Sequence, residues 1–328
     1  VTALPSRNTA DTRWLDAAAR LAGRAVPRCH PNPGVGCILV KDRKVVGRGW
    51  TQPGGRPHAE AVALAEAGAE AKGATAYVTL EPCAHRSERG AACANSLVEA
   101  GLAAVVIGQR DPDPRTDGEG AALLREAAIE VRMHDHAASG RSLAGYLMRK
   151  REGRPFVTLK LATSLDGRIA LPDGSSQWIT GAAARTHVHA RRARHDAIVV
   201  GGGTWRADRP RLDVRLPGLE DRSPQRVLLS RSSGPDGVRI INTPAAIASL
   251  EEVLYLYVEG GAETAASFLR QDFVDRLEIY RAPILIGNGL AALGDIGLTG
   301  LAAAHGRWTL AQTRTLGSDL FTAYDRLR

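Results

Sequence analysis

Cysteine is scarce here, four in 328 residues, and no apolar run reaches the length of a membrane span. So few cysteines leave little for a disulfide framework, and a reducing, cytoplasmic setting is expected. The first thirty residues lack the apolar core of a secretion signal, so no membrane partner is expected either. Lysine is nearly as rare: five of the 43 basic residues, at positions 41, 44, 72, 150 and 160, leaving arginine to carry a net charge of +8. That excess is spread along the chain without a basic tail or an aromatic-studded basic strip, which argues against a nucleic-acid partner. A few arginines suit phosphate on a small substrate equally well. Apolar content of 44% against 24% charged residues reads as soluble and globular, and the length suggests about two domains.

What the chain does have is concentrated in residues 58–93, HAEAVALAEAGAEAKGATAYVTLEPCAHRSERGAAC. His-Ala-Glu opens it, Pro-Cys comes later, and a second Cys follows after nine intervening residues. In zinc-dependent base deaminases a His and two Cys hold Zn²⁺, while a Glu two residues after the His moves protons. Three protein ligands leave a fourth position for water, whose pKa the metal lowers. His58, Cys83 and Cys93 fit the ligand set and Glu60 the shuttle. A closed structural zinc site would need a fourth ligand, from Cys29, Cys37 or His85. The Ala/Leu helix after HAE and the β-rich AYVTL running into EPC favour the open site.

Around this stretch, helices and strands alternate. Trp14, Leu15, Ala18, Ala19, Leu21 and Ala22 recur at helical spacing and predict a helix over 11–25. HPNPGVGC at 30–37 is a Pro/Gly-broken loop leading into strand CILV, which turns at 41–44 and returns as VVGRGW. A helix comes after His58, then a strand over 75–80, and a helix from Cys93 that Gly101 ends. A buried strand at 103–108, the loop DPDPRTDGEG, a helix over 119–128, a strand over 129–133 and a helix over 137–151 complete the half. Helices covering a sheet in three layers is the expected architecture. The charged, Gly- and Pro-bearing RKREGRP at 149–155 marks a boundary, giving domains 1–150 and 151–328.

The second half restarts with strand FVTLKLA and continues through strands DAIVV, RVLL and LYLYV, with a strand pair expected in VDRLEIYRAPILIG. GGGT at 201–204 and EGGAET at 259–264 present bare backbone N–H groups where helices begin, a phosphate-binding arrangement. Neither is GxGxxG with an acidic residue about 20 positions on, which excludes the ordinary Rossmann reading. The turns point to a nucleotide without saying which, and each serves equally as a plain tight turn.

HPNPGVGC, GxxHAE, KGATAYVTLEPC and the later Cys, and after them LKLATSLDGRIA, SSQWIT, AIVVGGGTWRADRPRL and VEGGAE, resemble the bifunctional riboflavin-biosynthesis deaminase/reductase family over nearly the full chain. The resemblance implies an α/β chain with a cytidine-deaminase-like three-layer α/β/α domain and then a dihydrofolate-reductase-like α/β domain. It implies zinc-assisted deamination at C2 of 2,5-diamino-6-ribosylamino-4(3H)-pyrimidinone 5′-phosphate, then reduction of the ribosyl group to ribityl by NADPH. By position, His58, Cys83 and Cys93 become the zinc ligands and Glu60 the proton shuttle, with Asn32 and His85 at the pyrimidine. Lys160, Ala162, Trp178, Thr204, Asp208, Glu259, Gly260 and Gly261 match coenzyme- or substrate-site positions, with Asp208 and Lys160 taken as catalytic. Ser176, Arg192, Leu212 and Arg215 match substrate-binding positions, and the two arginines suit phosphate or a polyol. A homodimer through the reductase domain is a further implication. The chain departs from the family twice. The loop HRSERGAAC lacks the usual Pro pair, leaving either Arg86 or Arg89 to meet the substrate phosphate. Residues 230–253 are shorter than expected between their strands, from a trimmed sheet edge or an omitted segment.

Overall fold

The computed structural model describes residues 7–85 and 90–328, and the chain forms two compact units that divide between Gly153 and Arg154. No helix among the described residues is long and apolar enough to cross a membrane.

In the first unit, α1 (Arg7–Ala22) precedes β1 (Gly36–Lys41), β2 (Lys44–Trp50), α2 (Ala59–Ala67), β3 (Thr75–Val78), α3 (Cys93–Glu99), β4 (Ala104–Ile107), α4 (Glu119–Glu126), β5 (Glu130–Met133), α5 (Ala137–Ser142) and α6 (Ala144–Glu152). The sheet runs β2-β1-β3-β4-β5, antiparallel around β1 and parallel from β3 to β5. Side chains alternate across a strand, and β1 uses both of its faces. Ile38 and Val40 pack with Leu15 and Ala18 of α1. Cys37 and Leu39 face the other way, into a core shared with Ala59 and Ala63 of α2, Leu97 of α3 and Leu124 of α4. Both faces are therefore covered, which makes three layers. Helix α2 lies directly on β2: a Cβ on Gly49 would be 1.9 Å from the Ala59 carbonyl oxygen. The expected helix over 137–151 is two helices. Leu143 leaves helical geometry, its N–H shared between the carbonyls of Ser139 and Gly140 at 3.1 and 3.2 Å. The small residues around Gly140 hold a helix poorly.

The second unit comprises β6 (Phe156–Thr163), β7 (Arg168–Ala170), α7 (Ala182–Arg192), β8 (Ala197–Gly201), α8 (Gly202–Asp208), β9 (Gln225–Leu229), β10 (Arg239–Ile241), β11 (Tyr255–Val258), α9 (Ala262–Arg270), β12 (Arg276–Arg281), β13 (Leu290–Ala291), β14 (Trp308–Leu316) and β15 (Asp319–Arg326). Its main sheet has the order β10-β9-β8-β11-β6-β12-β15-β14, with β7 and β13 paired separately. Strands β10 to β12 are parallel, and β15 and β14 close the sheet antiparallel. Val157, Leu159 and Leu161 face Phe268 of α9 on one side, while Tyr257, Tyr280 and Ile198 pack with Ala184 and Val188 of α7 on the other. VDRLEIYRAPILIG holds one strand of this sheet, β12, instead of the expected pair. Beyond Arg281 the chain folds over the end of β6, where the Asp166 carboxylate accepts from the N–H groups of Ile286 and Gly287 at 3.1 and 2.7 Å. Residues 230–253 pass through the three-residue β10 and a 3₁₀ turn.

Candidate active sites

His58 is the N-cap residue of α2, in extended conformation, and Glu60 lies in the first turn of that helix. Cys93 is the first residue of α3, and Cys83 sits on the loop leaving β3. These elements bring one nitrogen and two sulfurs together: His58 Nδ1 is 3.2 Å from Cys93 Sγ and 3.7 Å from Cys83 Sγ. Cys83 Sγ also accepts from the Cys93 backbone N–H at 3.3 Å. On the far side of the ring, Asn32 Nδ2 lies 2.9 Å from His58 Nε2 and donates to the Gly55 carbonyl at 2.7 Å. Glu60 is 4% exposed and hydrogen-bonds the Cys93 thiol. Its burial pushes its pKa up to about 6, an effect His58 opposes and Cys83 reinforces. The hydrogen bond from Cys93 lowers the Cys83 thiol, against the effect of burial and with help from His58, while the same bond and burial raise Cys93. His85 is half-buried, its Nδ1 3.5 Å from Thr116 Oγ1. Arg86 and Arg89 lie outside the described residues.

In the second unit, the two glycine turns meet at the carboxyl ends of neighbouring parallel strands, β8 and β11. Gly201 leads into α8 and Gly261 is the N-cap residue of α9. A Cβ on Gly261 would be 3.5 Å from Thr204 Oγ1. Glu259 comes directly after β11 and accepts from Arg192 Nε and Nη2 at 2.7 and 2.9 Å. Lys160 Nζ, on β6, is 3.8 Å from the same carboxylate. Burial lowers Lys160, and Glu259 works against that shift. Arg192 Nη1 donates to the Asp213 carbonyl at 3.0 Å, next to buried Leu212, while Arg215 Nε is 3.5 Å from Asp213 Oδ1. Ala162 lies two residues beyond Lys160 on β6. Trp178 is 64% exposed beneath the Arg185 guanidinium, Ser176 is half-buried on the same loop, and Asp208 ends α8 facing solvent.

Residues 8–109 match the cytidine and deoxycytidylate deaminase zinc-binding region, and residues 155–322 match the RibD C-terminal domain. The riboflavin biosynthesis protein RibD of Haemophilus influenzae is 36% identical, over 96% of this chain and 97% of its own. The chain belongs to the RibD family of riboflavin biosynthesis proteins. RibD of Escherichia coli is 35% identical over 94% of this chain and 98% of its own. The solved structure of Acinetobacter baumannii RibD matches with a TM-score of 0.86 at 33% identity, covering 98% of this chain and 99% of that one. A diaminohydroxyphosphoribosylaminopyrimidine deaminase/5-amino-6-(5-phosphoribosylamino)uracil reductase of Thermotoga maritima matches at 0.85 and 28% identity, covering 97% and 99%. A zinc-binding deaminase region and a reductase domain share this one chain.

The donor set of this RibD member fits zinc. Tetrahedral bonds to nitrogen and sulfur place neighbouring ligand atoms about 3.6 Å apart, and the three ligand atoms here lie within 4.8 Å of one another. Among the described residues no fourth His, Cys, Asp or Glu joins this group, so the closed-site alternative has no ligand to close it. Arg192, expected to anchor phosphate or a polyol, lays its Nε and Nη2 on Glu259 and its Nη1 on the Asp213 carbonyl. Sequence reasoning passed over Thr116, His189, Asp213 and Glu81. Each acts through a partner distant in sequence, as His189 Nδ1 does with the Asp213 carbonyl at 3.2 Å.

Proposed function

We propose that the chain catalyses two consecutive steps of riboflavin biosynthesis. The first unit hydrolytically deaminates 2,5-diamino-6-ribosylamino-4(3H)-pyrimidinone 5′-phosphate at C2. The second reduces the ribosyl side chain with NADPH to give 5-amino-6-(5-phosphoribitylamino)uracil. The observation that carries this reading is the group of three ligands with a buried carboxylate beside it and outside it.

His58, Cys83 and Cys93 would hold Zn²⁺, which when bound supplies an activated water as nucleophile. Glu60 takes a proton from that water and returns protons to the ring nitrogen and the departing ammonia. A carboxyl near pKa 6 both accepts and releases protons around neutral pH. Asn32 and His85 contact the pyrimidine. In the reductase, NADPH supplies hydride, and Thr204 with Glu259 to Gly261 forms the floor on which coenzyme and sugar meet, with Ala162 and Trp178 as its walls. Lys160 stabilises charge beside the reacting carbon. Asp208 orients the sugar or protonates its ring oxygen as the Schiff base forms. Ser176, Leu212 and Arg215 bind the ribotide, and Arg192 holds Glu259 in place for them. The substrate is a small ribotide, not nucleic acid or a membrane. The four free thiols fit a cytoplasmic setting, and the reductase domain is assigned as the homodimer contact.

The test is a coupled assay with the diaminopyrimidinone ribotide, following ammonia release and NADPH loss separately with zinc content alongside. Both signals with about one zinc per chain support the proposal. Ammonia without NADPH loss limits it to the deaminase, and neither signal in zinc-loaded protein defeats it. Near-wild-type reductase turnover in Lys160→Ala or Asp208→Asn would remove that residue from the mechanism.

A further inference from the structure

Glu81 stands two residues before Cys83, is 3% exposed, and has no part in the chemistry above. Its Oε1 accepts from the Ala121 N–H at 3.0 Å, and its Oε2 from the N–H groups of Gly118 at 3.1 Å and Asp111 at 3.4 Å. Helix α4 begins with Gly118 as its N-cap residue, which has no side chain to cap with. Glu81 fills that role from 40 residues away, satisfying N–H groups that the helix itself cannot and placing negative charge at the positive end of its dipole. The first turn of α4 is also pressed onto the ligand loop, since a Cβ on Gly120 would be 2.0 Å from the Pro82 carbonyl oxygen.

Glu81 thus anchors loop 110–118 near both ends. Between the anchors the loop is braced within the same unit. Asp111 Oδ1 accepts from Tyr146 Oη at 2.7 Å, and Asp113 Oδ2 accepts from Arg115 Nη2 and Lys150 Nζ, each at 2.8 Å. A braced loop moves as one piece, so its anchor decides where Thr116 stands. Thr116 is the residue that meets His85.

We propose that Glu81 is a positioning residue of the deaminase: its carboxylate holds loop 110–118 against the metal-ligand loop so that Thr116 fixes the ring of His85 at the substrate. This rests on the reading of the first unit as the ribotide deaminase. A neutral amide cannot replace the carboxylate. Gln turns two N–H groups towards backbone donors where the carboxylate offers only acceptors.

Glu81→Gln and Thr116→Val would be assayed for ammonia release and NADPH loss, with zinc per chain and amide hydrogen exchange over 110–121. Glu81→Gln should keep its zinc and reductase rate, exchange faster at Gly118 and Ala121, and show a deaminase KM raised about tenfold with kcat within about twofold. Thr116→Val should raise KM without speeding exchange at Ala121. A wild-type KM in Glu81→Gln overturns the proposal. So does joint loss of zinc and kcat, which would make Glu81 a support for Cys83 alone. If Glu81→Gln does not fold, Thr116→Val decides: a raised KM supports the proposal and an unchanged KM overturns it. A wild-type chain that binds zinc but releases no ammonia defeats the underlying reaction instead, an outcome distinct from all of these.

Discussion

Arg192 lays two nitrogens on the two oxygens of Glu259, at 2.7 and 2.9 Å, across 67 residues of sequence. Burial works to raise the Glu259 carboxyl, but Arg192 and then Lys160 overcome it and hold the pKa at about 2. A carboxylate depressed in the folded state contributes stability above its unfolded pKa, about 4.5, and loses it as pH falls towards about 2. Glu259→Gln should therefore destabilise the second unit at neutral pH by up to about 3 kcal/mol. In urea melts, the gap to wild type should narrow below about pH 4.5. A gap that ignores pH would show that the charge pairing is not its source.

Glu60→Gln keeps the size of the side chain and removes its ability to take up and release a proton. Ammonia release should fall by about 10²- to 10⁴-fold, the range for a lost general acid–base group. Zinc content and reductase turnover should stay at wild-type levels. Unchanged ammonia release would take Glu60 out of the reaction.

Zinc removal should act on one unit alone. A chelator that empties the site abolishes ammonia release, while NADPH-dependent reduction of the deaminated intermediate continues. Since metal stabilises only the folded form, adding it back at 100 times its dissociation constant should restore about 2.7 kcal/mol to the first unit. Calorimetry with and without the chelator reads this, and a shift of the second unit's transition would contradict it.

At the start of the second unit, Arg154 donates to both oxygens of Asp275 at 2.8 and 2.9 Å, and Asp275 also accepts from the Val157 N–H at 2.8 Å. Both side chains are buried, and Arg328 also reaches Asp275. Arg154→Ala strands much of a buried carboxylate and should cost about 3 kcal/mol in unfolding of this unit. Deaminase activity should not change. A loss below about 1 kcal/mol, the range of exposed pairs, would mean that Arg328 replaces it.

The grouping of His58, Cys83 and Cys93 was legible because metal chemistry dictates residue type and spacing together. The layering of the first unit was legible from helices and strands that alternate along the chain. Other features depend on distant partners. Arg192 carries no local mark of being committed to Glu259, and a carboxylate capping a helix 40 residues later has no sequence signature. The break at Leu143 turns on a shared hydrogen bond, which apolar periodicity does not report. Nor does periodicity distinguish the segment after Arg281 from a strand, because Asp166 captures its N–H groups from outside.

Gly49 gives the deaminase an uneven tolerance to change. With the backbone of α2 resting on β2 at that point, the height of His58 above the sheet is fixed by an atom that is missing, not by one that is present. Redesign of this helix therefore has a free hand on its outward face, where Ala61 and Ala65 are exposed. At position 49 it has none, because the Ala59 carbonyl leaves no room for the Cβ that every other residue carries.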